Sequence, residues 1–518
     1  VLDGLIGGFH HILSLHYLWI ILIGSAIGIA AGATPGMSTA GTLAILIPFT
    51  FTMDAIGSLA LLASVYTGAQ YGGSISATLL NTPGAPESAV ITFDGYPLAQ
   101  QGKAGKALTA LILAGLVGGL VGTIVLIGAV VPLAKEALRF GPAEMFALAV
   151  FGISVVGGLV QGGLLRGLAA AALGLLVTMI GQDPVSGTAR FTLGSTSLLG
   201  GVPFVPALIG LFALSEVFSL VARRDQHVEL KNVTTKHEWP ADRAELGMWL
   251  KFMLIGAGVG IFVAVHPGSG ATIASLIAYS VARQVSKNHK LFGKGAIEGI
   301  ITPEAADKAT VGAAMIPMLG LGIPGSASSA VLMGAFTLHG IEPGPMIFKN
   351  HADIVWSLFA ALVIANFAVF ALGFGGVPLF ARVTLIPRKY LLAAIIALCF
   401  VGAYANGTNM ISVYTALAFG IVGFLLRRGG VSLAPIVLGL VLGPLLETNL
   451  RQAMIISGGS WLYLVQSPIA LLLYGLGLAS ILVPYVMQRR KMAIPHPAMP
   501  LPGPPLPPLP EGIPEDGE

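Results

Sequence analysis

The sequence predicts an all-α polytopic membrane protein of about 10–12 transmembrane helices, in two internally related halves with Pro-Gly-broken or re-entrant helices. Three observations carry this prediction. Hydrophobic residues make up 55% of the 518 and charged residues only 10%, where a soluble globular chain carries roughly a quarter charged. Long apolar runs follow one another with short connections. Pro-Gly pairs recur at matching places in the two halves.

The remaining composition narrows the class. The 69 glycines and 33 prolines follow no collagen-like triplet, and both types are commoner in membrane helices than in soluble ones. The single cysteine, Cys399, lies in an apolar run without a disulfide partner and reads as an inert buried residue. A net charge of +4 spread between apolar runs implies no nucleic-acid partner. The opening stretch has no basic n-region or Ala-x-Ala site and is read as the start of the mature protein.

In chain order, the first half (1–222, a first transmembrane repeat) has apolar runs at Tyr17–Ala31, Thr42–Phe51, Ala55–Val65, Ala107–Val131, Met145–Val160, Leu164–Ile180 and Phe204–Ala222. A polar connecting loop, 223–247, follows. The second repeat, 248–493, has runs at Met248–Val265, Ala271–Val281, Ala309–Leu338, Ile354–Phe374, Tyr390–Ala403, Ile411–Leu426, Val431–Leu446 and Leu462–Met487. The Pro-rich tail, 494–518, is expected to be disordered or polyproline-like. The positive-inside rule places the connecting loop and the Arg489, Arg490, Lys491 cluster in the cytoplasm. Lys103 and Lys106 before one run, with Lys135 and Arg139 after it, leave the first half's orientation open.

Several runs are too short to cross a bilayer alone, and they adjoin the matched breaks. Thr34-Pro35-Gly36-Met37-Ser38-Thr39-Ala40 resembles His266-Pro267-Gly268-Ser269-Gly270-Ala271-Thr272. Pro83-Gly84-Ala85-Pro86-Glu87-Ser88-Ala89-Val90 aligns without a gap on Pro324-Gly325-Ser326-Ala327-Ser328-Ser329-Ala330-Val331. Gly210 with Glu216 and Gly439 with Glu447 form a weaker third echo. Such matched, interrupted segments point to an internal duplication and to a transporter's binding site.

The physics of a break explains why. Inside hydrocarbon an unpaired peptide group costs several kcal/mol, so irregular backbone survives only where protein or a water-filled cavity surrounds it. Proline removes a donor and glycine lets the chain turn at positive φ. A helix restarting after the break presents free N–H groups to an anion, and nearby hydroxyls add donors without a full buried charge. The candidate substrate-binding residues are Ser38, Thr39, Asn81, Thr82, Pro83, Gly84, Ser88, Pro324, Gly325, Ser326, Ser328 and Ser329. Carbonyls freed at the preceding helix ends suit a sodium ion near Gly36, Asn81, Gly268, Thr272 and Gly325. No catalytic residue or cofactor is expected; sodium or a proton is the expected coupling ion.

Blander readings stand beside these. A Pro-Gly pair also serves as a kink or surface turn, and the pairs Gly115/Gly119, Gly118/Gly122 and Gly256/Gly260 have the small-xxx-small spacing of helix packing. The stretches Asp94–Lys106 and Glu298–Lys308 read equally as solvated surface segments, with Glu304 and Lys308 spaced for a helical pair. His266, at the mouth of a break, is a candidate proton-sensitive group. The chain has no His-Glu-x-x-His pair, Gly-x-Ser-x-Gly elbow or Walker-type phosphate loop, so it is not expected to be an enzyme.

The motifs resemble those of the large membrane subunit of tripartite tricarboxylate transporters, the TctA family. The most specific pieces are Tyr71-Gly72-Gly73-Ser74-Ile75-Ser76-Ala77-Thr78-Leu79-Leu80-Asn81-Thr82-Pro83-Gly84, Asp94-Gly95-Tyr96-Pro97-Leu98-Ala99, Phe292-Gly293-Lys294-Gly295-Ala296-Ile297-Glu298-Gly299, Pro303-Glu304-Ala305-Ala306 and Leu321-Gly322-Ile323-Pro324-Gly325-Ser326. The resemblance implies a multi-pass permease of the bacterial inner membrane. It would work with a small membrane subunit and a periplasmic solute-binding protein, importing small organic carboxylates on an ion gradient by alternating access. An ion or anion channel built from re-entrant helices is the alternative. The chain departs from the family pattern at His266, where an aliphatic residue is usual, and at Asp307 and Lys308, where asparagines are usual. Lys308 reads equally as an added carboxylate contact or a salt-bridge partner.

Overall fold

A computed structural model describes residues 1–159, 164–183, 185–222, 238–240, 242–383, 388–406 and 408–491. Most of the connecting loop (223–237 and 241) and the Pro-rich tail lie outside the described residues. The described residues are almost entirely helical, with one hairpin of two-residue strands, Gly181–Gln182 and Ala189–Arg190, joined antiparallel. Among the described residues, six helices are long and apolar enough to cross a membrane: Leu15–Ala33, Gly95–Ala137, Phe204–Ala222, Arg243–Ala264, Ala352–Gly376 and Met410–Arg428. Shorter apolar helices, among them Thr39–Thr52, Leu164–Thr178 and Ala327–Leu338, accompany them. The chain is an all-α polytopic membrane protein.

Two helices sit deepest, and both carry polar side chains into the interior. The helix Ala55–Leu80 is buried from Gly57 through Leu79, although it carries Ser64, Tyr66, Thr67, Gln70, Tyr71 and Ser74. The helix Glu298–Ala313 is buried along its whole length, with Glu304, Asp307 and Lys308 inside. Its polar stretch is therefore interior, not a solvated face. Lipid is no place for these groups, so the apolar helices surround them.

Close approach at glycines makes this packing possible. On Leu15–Ala33, a Cβ at Gly24, Gly28 or Gly32 would run into the carbonyls of Leu61, Val65 and Ala69 in turn. On Arg243–Ala264, a Cβ at Gly256 or Gly260 would run into those of Thr302 and Ala306. Gly118 and Gly122 meet Ala305 and Ala309 in the same way. In lipid, where no hydrophobic force drives helices together, such backbone proximity supplies the dispersion contact that holds them.

The breaks follow one pattern in both halves. Gly36 N–H donates to Gly84 carbonyl (3.2 Å), and Gly268 N–H to Gly325 carbonyl (3.0 Å). Gly84 N–H donates to Gly73 carbonyl (3.5 Å), and Gly325 N–H to Ala314 carbonyl (3.3 Å). Gly36 and Gly268 both have positive φ, 88° and 76°. Asn81 and Gly322, both left-handed, end the helices that precede the second breaks. One constant shift in numbering relates the Gly24–Gly36 contacts to those of Gly256–Gly268, and another relates their partners. The apolar run Ala309–Leu338 is thus three pieces, ending at Ala313, Leu321 and Leu338.

Later helices of the two halves cross over. Phe204–Ala222, which has a π-helical turn at Ile209–Leu214, packs Gly210 against the Ala416 carbonyl and Gly420 of Met410–Arg428. Ala434–Ile456 packs Gly439 against the Ala171 carbonyl and Gly174 of Leu164–Thr178. The glutamates of the third echo also diverge from each other. Glu216 meets Arg427, whereas Glu447 is held by Arg190 (2.6 Å) and Arg451 (3.1 Å) in a network with Asp183.

A second link joins the family-like pieces. Asp94, fully buried, accepts through Oδ1 from the backbone N–H groups of Gly293, Gly295 and Ala296, each at 2.8 Å, and through Oδ2 from the Tyr279 hydroxyl at 3.0 Å. The pieces Asp94–Ala99 and Phe292–Gly299 are thereby latched to one another.

Candidate functional site

In the first half, Ser38 begins the helix Thr39–Leu46, and its hydroxyl accepts from Gly41 N–H at 3.1 Å. The Glu216 carboxylate arrives from a distant helix and takes both the Ser38 N–H and its hydroxyl, the latter at 2.6 Å. A Cβ on Gly41 would strike Glu216, so a glycine is required for the carboxylate to reach this helix start. Thr39 donates its hydroxyl to Glu87 at 2.5 Å. Arg427 stands 3.6 Å from Glu216. The protein's own carboxylates therefore occupy the anion-binding end of this helix.

In the second half, Ser326 caps Ala327–Leu338 in a reciprocal box with Ser329, the two backbone N–H to hydroxyl bonds measuring 3.1 and 2.8 Å. Tyr66 reaches across from the first half to within 3.2 Å of the Ser326 hydroxyl. At the other break, the Ser269 hydroxyl turns back to the Val263 and His266 carbonyls, at 2.5 and 2.7 Å, and leaves the start of Gly270–Val285 without a side-chain cap. His266 places Nδ1 2.8 Å from the Phe262 carbonyl. Among the described residues, no carboxylate is hydrogen-bonded at these second-half helix starts.

The breaks face a shared space. A cavity of about 610 Å³ is lined by Ser38 and Thr39 from the first half, by Thr272, Ser326 and Ser328 from the second, and by Gln70 between them. Glu87 and Arg427 are its charged lining residues. Three helix starts, at Ser38, Ser269 and Ser326, open on this cavity. A neighbouring cavity of about 570 Å³ shares Ser38 and Arg427 and is lined by Glu216 and Arg428. The walls thus combine hydroxyls, peptide N–H dipoles and one shared guanidinium, which together can hold a small anion largely through neutral groups.

The sequence candidates divide between these places. Ser38, Thr39, Ser326 and Ser328 line the larger cavity, as do Gly268 and Thr272 from the sodium candidates. Pro83, Gly84 and Gly36 line the smaller one. Asn81 and Thr82 lie at the end of Ala55–Leu80 and line neither, and neither do Pro324 and Gly325. Ser88 is buried and closes a local turn by donating to the Ala85 carbonyl at 2.8 Å, while Ser329 completes the capping box.

Among the wall residues outside the sequence candidates are Tyr66, Gln70, Glu87, Glu216 and Arg427. Glu87 sits inside a quoted Pro-Gly motif and was within reach of sequence reading. Arg427 looks like a basic helix end, and Tyr66 and Gln70 lie inside an uninterrupted helix, so nothing local marked them.

Behind Gln70 lies a charged cluster. Lys308 donates Nζ to the Thr67 carbonyl at 2.8 Å and lies 5.8 Å from the centre of the Tyr71 ring. Glu304 accepts from the Ser74 hydroxyl at 2.5 Å. Asp307 has no hydrogen-bond partner on either carboxyl oxygen. Lys308 lines neither cavity, so it makes no direct wall contact there.

The arrangement has a counterpart among known families. Residues 18–438 match the model of the tripartite tricarboxylate transporter TctA family. The chain belongs to that family. A TctA member is the large subunit of a tripartite tricarboxylate transporter, which makes this chain part of a multi-subunit membrane system. It is 38% identical over 463 residues to an uncharacterized 52.8 kDa protein in the TAR-I ttuC' 3' region of Agrobacterium vitis, covering 89% of this chain and 91% of that one. A second relative from Agrobacterium vitis, an uncharacterized protein in the TAR-II ttuC' 3' region, is 40% identical over 234 residues, which is 45% of this chain and 97% of that one. No solved structure matches this TctA chain.

Proposed function

We propose that this chain is the permease subunit of a binding-protein-dependent secondary transporter of the bacterial inner membrane, importing small di- or tricarboxylates on a sodium or proton gradient. The supporting observation is the cavity of about 610 Å³ that both sets of breaks share. One carboxylate of the substrate would meet Arg427, beside Ser38 and Thr39, whose hydroxyls already serve Glu216 and Glu87. Another would lie at the uncapped start of Gly270–Val285, near Thr272, with Ser326 and Ser328 on the same cavity wall. The repeated glycine contacts favour reading 1–222 and 248–493 as two repeats, and alternating access would move the broken helices against the remainder. The remaining sequence candidates, Asn81, Thr82, Pro83, Gly84, Ser88, Pro324, Gly325 and Ser329, would shape the breaks. A small membrane subunit and a periplasmic solute-binding protein would complete the system.

The wall charge bears on coupling. Glu87 and Arg427 in the larger cavity balance, so an entering dicarboxylate has no surplus positive charge to meet it, and an accompanying cation or proton relieves that deficit. Proteoliposomes holding this chain with its small subunit and binding protein should accumulate labelled citrate or succinate under an inward ion gradient. Accumulation that survives collapse of both gradients, or a large unsaturable current, would overturn the reading.

A further inference from the structure

The cluster behind Gln70 is not used by the cavity contacts just described. Glu304, Asp307 and Lys308 are 1%, 2% and 1% exposed, on one helix. Two carboxyl groups act electrostatically on one ammonium. In a low-dielectric interior an unbalanced carboxylate costs many kcal/mol and neutralises instead, so the trio holds one proton more than a fully ionised set. Its position follows from the hydrogen bonds. Glu304 receives the Ser74 hydroxyl, which favours a carboxylate there. Asp307 receives nothing on Oδ1 or Oδ2.

Other buried atoms point the same way. Gln70 Oε1, the Tyr71 hydroxyl and Glu304 Oε1 also lack partners. Gln70 lies on the cavity wall and directs Nε2 to the Thr310 hydroxyl (3.5 Å), which donates to the Asp307 carbonyl (2.6 Å). It therefore ties the cavity wall to the backbone of the helix that carries the cluster. The Thr67 carbonyl, an oxygen that a bare cation would use, is taken by Lys308 Nζ. A metal ion there would be pressed against an ammonium; a proton on a carboxyl would not.

The surrounding groups are accounted for. Glu87, from the segment Pro86–Phe93, acts electrostatically on both Asp307 and Lys308, and Tyr66 and Tyr71 face them from Ala55–Leu80. The helices Ala104–Ala137 and Arg243–Ala264 meet this helix through glycines, Gly115 lying beside Lys308 and Glu304. Asp94 and Tyr279 reach its first turn at Gly299, and Glu298 is bound by Ser286 and Asn288, each at 2.9 Å.

We propose that Asp307, beside Glu304 and Lys308 and behind the Gln70 wall, is a proton-binding site through which carboxylate uptake is coupled to inward proton movement. The proposal rests on the transport reading above and names its ion. The step is a simple protonation: a carboxylate oxygen gains a proton from one side of the membrane and releases it to the other.

Two measurements test it separately. In purified protein without substrate, infrared difference spectra across a pH titration should show a protonated-carboxyl stretch that disappears in Asp307→Asn; a spectrum identical in wild type and variant overturns the site. In proteoliposomes of the complete transporter without sodium, entry of citrate or succinate should make the external medium more alkaline. Asp307→Asn should lose accumulation but keep exchange of labelled for unlabelled substrate, and Asp307→Glu should restore accumulation. Uptake by wild type without external alkalinisation, uptake driven by sodium alone, or an Asp307→Asn variant that still accumulates substrate overturns the coupling. If wild type takes up no carboxylate while the infrared band persists, the proton site stands and the transport reading fails.

Discussion

Arg427 lines both cavities and is, among the described residues, the one cation on the wall of the larger, so its removal gives the most direct test of the site. Its guanidinium is 3.6 Å from Glu216, and the Arg427 side chain is 29% exposed. A charge-assisted hydrogen bond to a substrate carboxylate is worth about 1.5–3 kcal/mol, and partial exposure favours the lower half of that range. Loss of about 1.5–2 kcal/mol corresponds to a rise of roughly 10- to 30-fold in KM. Glu216 keeps its bonds to Ser38 N–H and hydroxyl, so Arg427→Gln should remain folded. The assay is the concentration dependence of labelled citrate or succinate uptake in proteoliposomes, beside Arg428→Gln, whose side chain lines only the smaller cavity. Arg427→Lys should fall between, because an ammonium keeps the charge and loses the planar fork. An unchanged KM in Arg427→Gln, or an equal rise in Arg428→Gln, would refute the assignment.

Other consequences can be checked independently. Gly84→Ala should cost about 1–3 kcal/mol by overpacking, since its Cβ would strike the Gly32 carbonyl and come within 2.8 Å of Gly73 Cα. Gly128→Ala meets nothing within 4 Å, and a thermal-unfolding comparison of the two should show loss only for Gly84→Ala. Tyr66→Phe removes the 3.2 Å contact with Ser326 and should raise KM by roughly 2- to 10-fold, the effect of about 0.5–1.5 kcal/mol. Asp94→Ala leaves three backbone N–H groups of the 293–296 loop without their acceptor and should destabilise by at least about 3 kcal/mol, seen as poor yield of folded protein. At the hairpin, the N–H groups of Ser186 and Val185 lower the Asp183 pKa to about 2. With a folded value below the unfolded one, this contribution is complete above about pH 4 and disappears as pH falls through about 2. Amide exchange at Val185 and Ser186 should accelerate in that window, and at neutral pH in Asp183→Asn.

Much of the site was readable because a break in a membrane helix is a local event. A Pro-Gly pair followed by hydroxyls announces a restarted helix, and four of the residues so marked, Ser38, Thr39, Ser326 and Ser328, line one cavity. The same reasoning placed Asn81, Thr82 and Ser88 beside them, and the structure sets these at a helix end and in a turn. Proximity in sequence does not say to which side of a break a side chain turns. Packing glycines were equally legible at Gly118, Gly122, Gly256 and Gly260, whose neighbours are backbone carbonyls. Gly24, Gly28 and Gly32 carry the same spacing and do the same work. Glu216 was marked only by the third echo and Arg427 not at all, because their meaning lies in a contact between helices far apart in the chain.

The sequence alone determined the solvent of this protein, lipid, and where its helices stop, because apolar length and Pro-Gly chemistry act over a few residues. The tertiary structure decided what those stops face. It joined Gly36 to Gly84 and Gly268 to Gly325, carried Glu216 into the first break, and left the second-half helix starts open on a cavity. It also turned Glu298–Ala313 from an ambiguous polar stretch into a wholly buried helix. Charge in a sequence carries no address; only the surrounding helices establish whether a carboxyl group is wetted or enclosed, and hence whether it must share a proton.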